Sequence, residues 1–260
     1  MDGAAVLPLA SSSAPADLVA DSGTDLLVRY NSYFRSQLAD TPELLRTALA
    51  IRYQVYCLER KFEDEDAHGD CLECDDFDRL AIHSLLFHRP SAKAIGTARL
   101  ILPGHSDADL SPIRRLLREA GLRGRDHFPI ETTAEVSRFA ISNQFRRRRG
   151  DEGAPVIAPE CRTNLPCLGL VQELLRQSLD RGLTHWAAVM EPKLLRMLAV
   201  MGIHFTSVGP LVDHHGLRQP SYCDLSDMLE RLRSERPEHW MVVTDGGALM
   251  PGAVQTRCAA

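Results

Sequence analysis

The hexapeptide "ECDDFD", residues 73–78, places Glu73, Asp75, Asp76 and Asp78 between a polar loop and an apolar run. Carboxylates crowded in this way can hold a hard cation, form a solvated turn, or neutralise buried cations. The oxygen-rich spacing and central glycine of a calcium loop are missing. Arg52, Arg99 and Arg138 match Asp75, Asp78 and Glu135 three against three, as a partly buried ion-pair network requires. The expectation is that Asp75 and Asp78 contact guanidinium groups and no metal. Cys71 and Cys74 form a C-x-x-C with His68 upstream, but no further ligand follows at zinc-finger spacing. Cys57 reads as a packing residue rather than a nucleophile. His214 and His215, in "DHHGLRQP", read as a structural pair in a turn with at most acceptor contact.

The elements that must position these side chains follow from periodicity. "PELLRTALAIRYQVYCLER" (42–60) has Leu44, Leu45, Ala48, Ile51, Val55 and Leu58 on one side of a helix. A loop from Glu63 to Asp78 precedes "LAIHSLLFHR" and "KAIGTARLIL", which read as an antiparallel hairpin. "SPIRRLLREAGLRG" has a capping serine, a proline at its first position and Gly121 as a stop, the pattern of a short helix. "TAEVSRFAIS" alternates as a central strand. A loop from Gly150 to Leu165, a helix over 165–182, a strand over 184–190, a helix over 192–202, a strand over 203–209 and a helix over 226–240 complete the order. This predicts one α/β domain with a mostly antiparallel sheet and helices on both faces. The expected boundaries are a disordered leader over 1–24, the domain over 25–245, and a flexible tail over 246–260.

The formal net charge of −5 in 260 residues argues against nucleic acid or an anionic membrane as a global partner. No stretch approaches a membrane span. Seven cysteines, in a chain whose start lacks the basic region of a signal peptide, are expected to be reduced thiols in the cytoplasm.

Four motifs stand in order: Arg52 with Tyr56, followed by Phe62; D-x-x-D at Asp75 and Asp78; R-L-x-L-P from Arg99; and E-x-S-R-F, with Glu135, Ser137, Arg138 and Phe139. Together they resemble the acyl-homoserine lactone synthases. The segments "RYQVYCLERKFED", "HSLLFHRP", "SRFAISNQFRRR", "THWAAVMEPKLLRMLAVMGIHF", "GPLVDHHGLRQP" and "ERPEHWMVVTDGG" resemble more closely a related group, the PEP-CTERM/exosortase system-associated acyltransferases. The resemblance spans roughly residues 25–247. It implies a GNAT-like acyl-CoA N-acyltransferase fold and the transfer of a fatty acyl group from an acyl carrier protein or coenzyme A thioester to the amine of an amino acid or similar small metabolite. An acyl-phosphopantetheine thioester would then be the co-substrate, with no permanently bound cofactor. Arg52, Tyr56, Phe62, Asp75, Asp78, Ser137 and Phe139 would bind substrate, and Glu135, Arg99 and Arg138 would be catalytic.

Transfer to an amine needs a base, because an ammonium has no lone pair until a carboxylate or water takes its proton. Glu135 is the candidate; its competing role is to neutralise Arg99 or Arg52. Residues three apart on a regular strand face opposite sides, so Glu135 and Arg138 share a cleft only if their strand is bulged. "RRRRGDEGAP" departs from the usual GNAT pyrophosphate loop by placing Glu152 where a small residue stands, which weakens coenzyme A as donor. Its basic run Arg146, Arg147, Arg148 and Arg149 is the candidate docking patch for an acidic carrier protein. Trp186, Met190, Leu194, Leu195, Met197, Leu198 and Phe205 are expected to be mostly core, some of them lining an acyl pocket. The competing readings are a non-catalytic acyl-binding or assembly protein, and an O-acyltransferase acting on a polymer sugar.

Overall fold

The computed structural model describes residues 17–104, 110–123, 126–145, 163–213 and 216–250. Helix α1 (Asp17–Tyr33) runs directly into strand β1 (Phe34–Leu38). Helix therefore already occupies the last residues of the stretch expected as a leader. Helix α2 (Pro42–Arg52) starts as its sequence dictates: Thr41 accepts a hydrogen bond from Leu44 N at 3.3 Å and Pro42 stands in the first turn.

The expected single helix over 42–60 then changes pitch. Tyr53–Glu59 forms a π-helix, whose wider turn alters the angular step between side chains. Val55 and Cys57 stay buried, while Leu58, expected on the same face, is 39% exposed.

Strands β2 (Ala81–His88), β3 (Lys93–Ile101) and β4 (Thr133–Ile141) form the antiparallel centre. Between β3 and β4 lies α3 (Pro112–Glu119). After β4 come α4 (Leu165–Leu179), β5 (His185–Met190), α5 (Pro192–Val200), β6 (Thr206–Ser207), β7 (Val212–Asp213), β8 (Leu217–Asp224), α6 (Leu225–Glu235) and α7 (Pro237–Val243). The sheet order is β1-β2-β3-β4-β5-β8-β6, with β7 paired to β8. Every pairing is antiparallel except β4 with β5.

Three expectations are corrected. The strand expected over 203–209 shrinks to β6. The sheet instead gains β1 and β8, and β8 tolerates Pro220. The helix expected over 226–240 breaks at Arg236 because Pro237 lacks the N–H that would continue it.

The sheet is covered on both faces. On one side α1, α4 and α7 pack Tyr30, Leu168 and Val242 against Phe34, Leu86, Leu100 and Val136 of the sheet. On the other, Ala48, Ile51 and Val55 cover Leu85 and Ala140, and Ile113 and Leu117 of α3 cover Ala187. All seven apolar residues expected near an acyl chain belong to the first core; Leu194, Leu195, Met197 and Phe205 are only partly buried there. Leu249 and Met250, expected in the tail, also pack against it.

Helix α4 approaches closely at Gly169. A Cβ there would meet Leu86 Cδ1 and the Tyr30 ring at 2.7 Å, and Tyr30 is fixed because its hydroxyl donates to Gln172 Oε1 at 3.1 Å. Overpacking costs about 1–3 kcal/mol, more than the roughly 1 kcal/mol an alanine contributes to a helix. Gly169→Ala is therefore expected to lower the urea midpoint. An unchanged or raised midpoint would show that α4 can shift outward freely.

Candidate active site

The site is organised by one irregularity in β4. Thr97 pairs with Ala140 and Arg99 with Ser137, so two steps on β3 oppose three on β4. Arg138 sits in this bulge with φ of +48°. A non-glycine residue in that region is strained by roughly 1–2 kcal/mol and stays there only when its surroundings hold it. The hold comes from carboxylates: Arg138 donates to both oxygens of Glu73, to Glu63 at 3.1 Å and to Asp75 at 3.2 Å. The bulge brings Glu135, Ser137 and Arg138 to the face covered by α2, the π-helix and α3. Phe139 falls on the other face, in the main core.

The other arginines converge on the same acidic segment. Arg52, fully buried at the end of α2, bonds Glu73 and Asp78. Arg99, 1% exposed on β3, bonds Asp75 and Asp78, and donates to Ser137 Oγ at 2.9 Å. The segment is shaped to meet them. Glu73 N donates to Leu49 O, and Asp75 with Asp78 forms a reciprocal cap on the short 3-10 turn Asp76–Leu80. "ECDDFD" is thus a helix cap whose spare oxygens cradle guanidinium groups. Among the described residues no cluster of three or more His, Cys, Asp or Glu could hold a metal ion.

Glu135 takes a different partner from those expected. Its Oε2 accepts from Ile113 N at 2.9 Å, at the start of α3, and Ser111 adds a side-chain hydrogen bond. It is 3% exposed. Beyond it β4 and β5 separate: their pairing covers only Thr133–Glu135 with His185–Ala187.

Tyr56, from the π-helix, lies with its ring centroid 5.3 Å from the Arg138 guanidinium and 6.2 Å from the Phe62 ring. Arg146–Arg149, Glu152, His214 and His215 lie outside the described residues.

Residues 51–154, which include the bulged β4, match the family described as "Acetyltransferase (GNAT) domain". The fold is of the GNAT type, and this family match supports an acyltransferase. No curated protein matches it in sequence. Several solved structures share its fold. FeeM, an N-acyl amino acid synthase from uncultured soil microbes, is 18% identical with a TM-score of 0.50, over 78% of this chain and 96% of that one. The AHL synthase LasI is 20% identical with a TM-score of 0.50, over 73% and 88%. BjaI, a CoA-dependent acyl-homoserine lactone synthase solved with SAM and isopentyl-CoA, is 17% identical with a TM-score of 0.53, over 78% and 88%.

The electrostatics of the GNAT-type domain split its carboxylates into two kinds. Burial alone would raise Glu73, but Arg52 and Arg138 hold it down at about 2. Asp78 is likewise held far below the usual carboxylate range, mainly by Arg52. Glu135 is pushed up to about 7 by burial, against the opposing pull of Ile113 N, Ser111 and Arg99. His83, on β2, is driven down to about 4 by burial and the nearby Arg52 charge, and is neutral. Tyr56 is raised by burial. Cys57 rises to about 11 for the same reason and is a poor nucleophile at neutral pH.

The arginine cradle contains two carboxylates that counting missed. Glu73 takes the place assigned to Glu135, and Glu63 joins at the edge. Glu73 was visible inside the hexapeptide; what hid its role was the assumption that Glu135 completed the charge balance.

Proposed function

We propose that this chain transfers an acyl group from a pantetheine thioester to the amine of a small metabolite, with Glu135 as the base. The observation that carries this reading is the juxtaposition, on one bulged strand, of a buried carboxylate titrating near neutrality and the opening between β4 and β5. A splayed strand pair leaves backbone donors and acceptors that an extended, amide-bearing pantetheine arm can pair with, as an added strand would. The amine nitrogen attacks the thioester carbonyl carbon, the C–N bond forms, the C–S bond breaks, and the leaving thiolate takes the second proton that the nitrogen sheds as the amide forms. Glu135 takes the ammonium proton. Backbone N–H groups of β4 beyond Glu135, where pairing with β5 has ended, would stabilise the oxyanion. Arg99 and Arg138 keep the bulge and the acidic segment in register.

The names of the structural neighbours support a coenzyme A thioester donor and an amine acceptor. The segment likeness to exosortase-associated acyltransferases supports a role in a bacterial surface-polymer system, acting from the cytoplasm. No helix among the described residues is long and apolar enough to cross a membrane. For the donor, an acidic carrier protein fits the Arg146–Arg149 run on a chain of net charge −5.

Thiol release from acyl-carrier-protein and acyl-CoA donors, with and without amines, tests the reading. Amine-dependent release is expected; release that ignores the amine would leave a thioesterase, and no release would leave a binding protein. Replacing Arg147 and Arg148 by glutamate should weaken use of the carrier-protein donor and leave a short acyl-pantetheine nearly unaffected. Equal losses with both donors, or an absence of salt dependence, would remove the docking role.

A further inference from the structure

We infer that Glu59 is a positioning residue for the thioester donor: it clamps the far end of β4 and thereby sets the width of the β4–β5 opening. The inference rests on the reading that this opening takes the pantetheine arm. It starts from what holds β4 once β5 has left it. Pairing with β5 ends at Glu135, whereas β3 stays paired with β4 as far as Ile141. Among the described residues one flank of β4 is therefore without a neighbouring strand over 136–141, and its position there depends on other elements.

The π-helix Tyr53–Glu59 supplies the hold. Its Tyr56 ring meets the Arg138 guanidinium at the bulge, and the Tyr56 hydroxyl is 3.5 Å from Phe139 O. Glu59 takes the chain just past the end of the strand: Oε1 accepts from Ser142 Oγ at 2.7 Å, and Oε2 accepts from Asn143 N at 2.8 Å. Charge-assisted hydrogen bonds of this kind are the stronger ones. Ser142 is 4% exposed, and its Oγ also accepts from Gln144 N at 3.2 Å, so the clamp reaches into the short turn Asn143–Phe145. From the other side Ser142 N donates to Ile95 O at 3.0 Å. Held by β3 and the π-helix together, the end of β4 keeps its distance from β5. Helix pitch fixes the carboxylate itself. Gln54 Nε2 donates to Glu59 Oε1 at 3.2 Å. The two residues are five apart, the spacing of π-helical hydrogen bonds, whereas side chains that meet along an α-helix are three or four apart. The wide turn is what gives Glu59 its fixed direction.

Binding of S-octyl-pantetheine, an unreactive thioether, measured calorimetrically on the full chain, tests this without turnover. The wild type should bind it, and Glu59→Ala should weaken it about tenfold or more at unchanged stoichiometry. Glu59→Gln should stay within about threefold of the wild type, because the amide oxygen still accepts from Asn143 N and the amide nitrogen can donate to Ser142 Oγ. Hydrogen exchange gives a local readout: in Glu59→Ala the amides of residues 139–144 should lose protection while those of β2 keep theirs. A merely structural Glu59 predicts instead a smaller bound fraction at the same affinity, or protection lost throughout the sheet. Either outcome overturns the inference. So does a Glu59→Ala affinity within about twofold of the wild type, a Glu59→Gln as weak as Glu59→Ala, or a wild type that does not bind the thioether. Thiol release by the wild type separately decides whether the chain is an acyltransferase at all.

Discussion

Glu135→Gln should fold normally and lose acyl transfer by roughly 10²-fold or more, the usual cost of removing a general base. The amide keeps an oxygen to accept from Ile113 N, so α3 stays anchored, but it cannot take a proton. In the wild type, kcat/KM should rise with pH through about 7, the value to which burial pushes this carboxyl, and level off above it. The variant should lack that limb. Stability carries a second signature with a definite sign. Because folding raises this carboxyl from 4.5 to about 7, its stabilising contribution is complete below 4.5 and disappears as pH rises through about 7. Ionising the buried group costs on the order of 3 kcal/mol, so Glu135→Gln should be relatively more stable than the wild type at alkaline pH than at pH 5. A folded variant with near-normal turnover would reduce Glu135 to an anchor for α3.

Glu73→Ala should be the most damaging single change to the fold outside the apolar core. Glu73 is 1% exposed and is shared by Arg52, which is fully buried, and Arg138, which is held in a left-handed conformation. Removing one partner of such a network leaves buried charge unpaired, at a cost of about 3–5 kcal/mol. Burial opposes the ionised carboxylate, but the two guanidinium groups win and hold it at about 2. Its stabilising contribution is therefore present above 4.5 and lost as pH falls towards 2. Equilibrium denaturation of Glu73→Ala, and of Glu73→Gln if the alanine variant does not fold, measures this. A loss below about 1 kcal/mol would mean that Arg138 keeps its bulge without Glu73.

Much of the fold was legible because its central parts follow simple rules. Thr41 and Pro42 announce the start of α2, β2 and β3 are largely apolar runs of strand length, and β4 alternates. The bulge followed from a requirement rather than from a local signal: Glu135 and Arg138 are three apart, and only an extra residue brings them to one face. Strand β8 was hidden because Pro220 and flanking polar residues argue against a strand, although β5 and β6 pair with it from either side. The π-helix has no propensity signal; Tyr56 reaches Arg138 from it, and Leu58 turns outward beyond it. At the site, all three arginines and both aspartates of the network were recognised, whereas Glu73 rather than Glu135 completes the charge balance. Composition cannot distinguish a carboxylate neutralised by guanidinium groups from one resting on a helix N-terminus, because only the tertiary position of α3 decides it.

Mass spectrometry of a reaction containing acyl thioester, an amino acid mixture and the purified protein tests the central claim most directly. The account predicts an N-acyl amide formed in step with free thiol, and its near-complete loss in Glu135→Gln under the same conditions. Thiol released without amide, or amide formed equally well by Glu135→Gln, would contradict it.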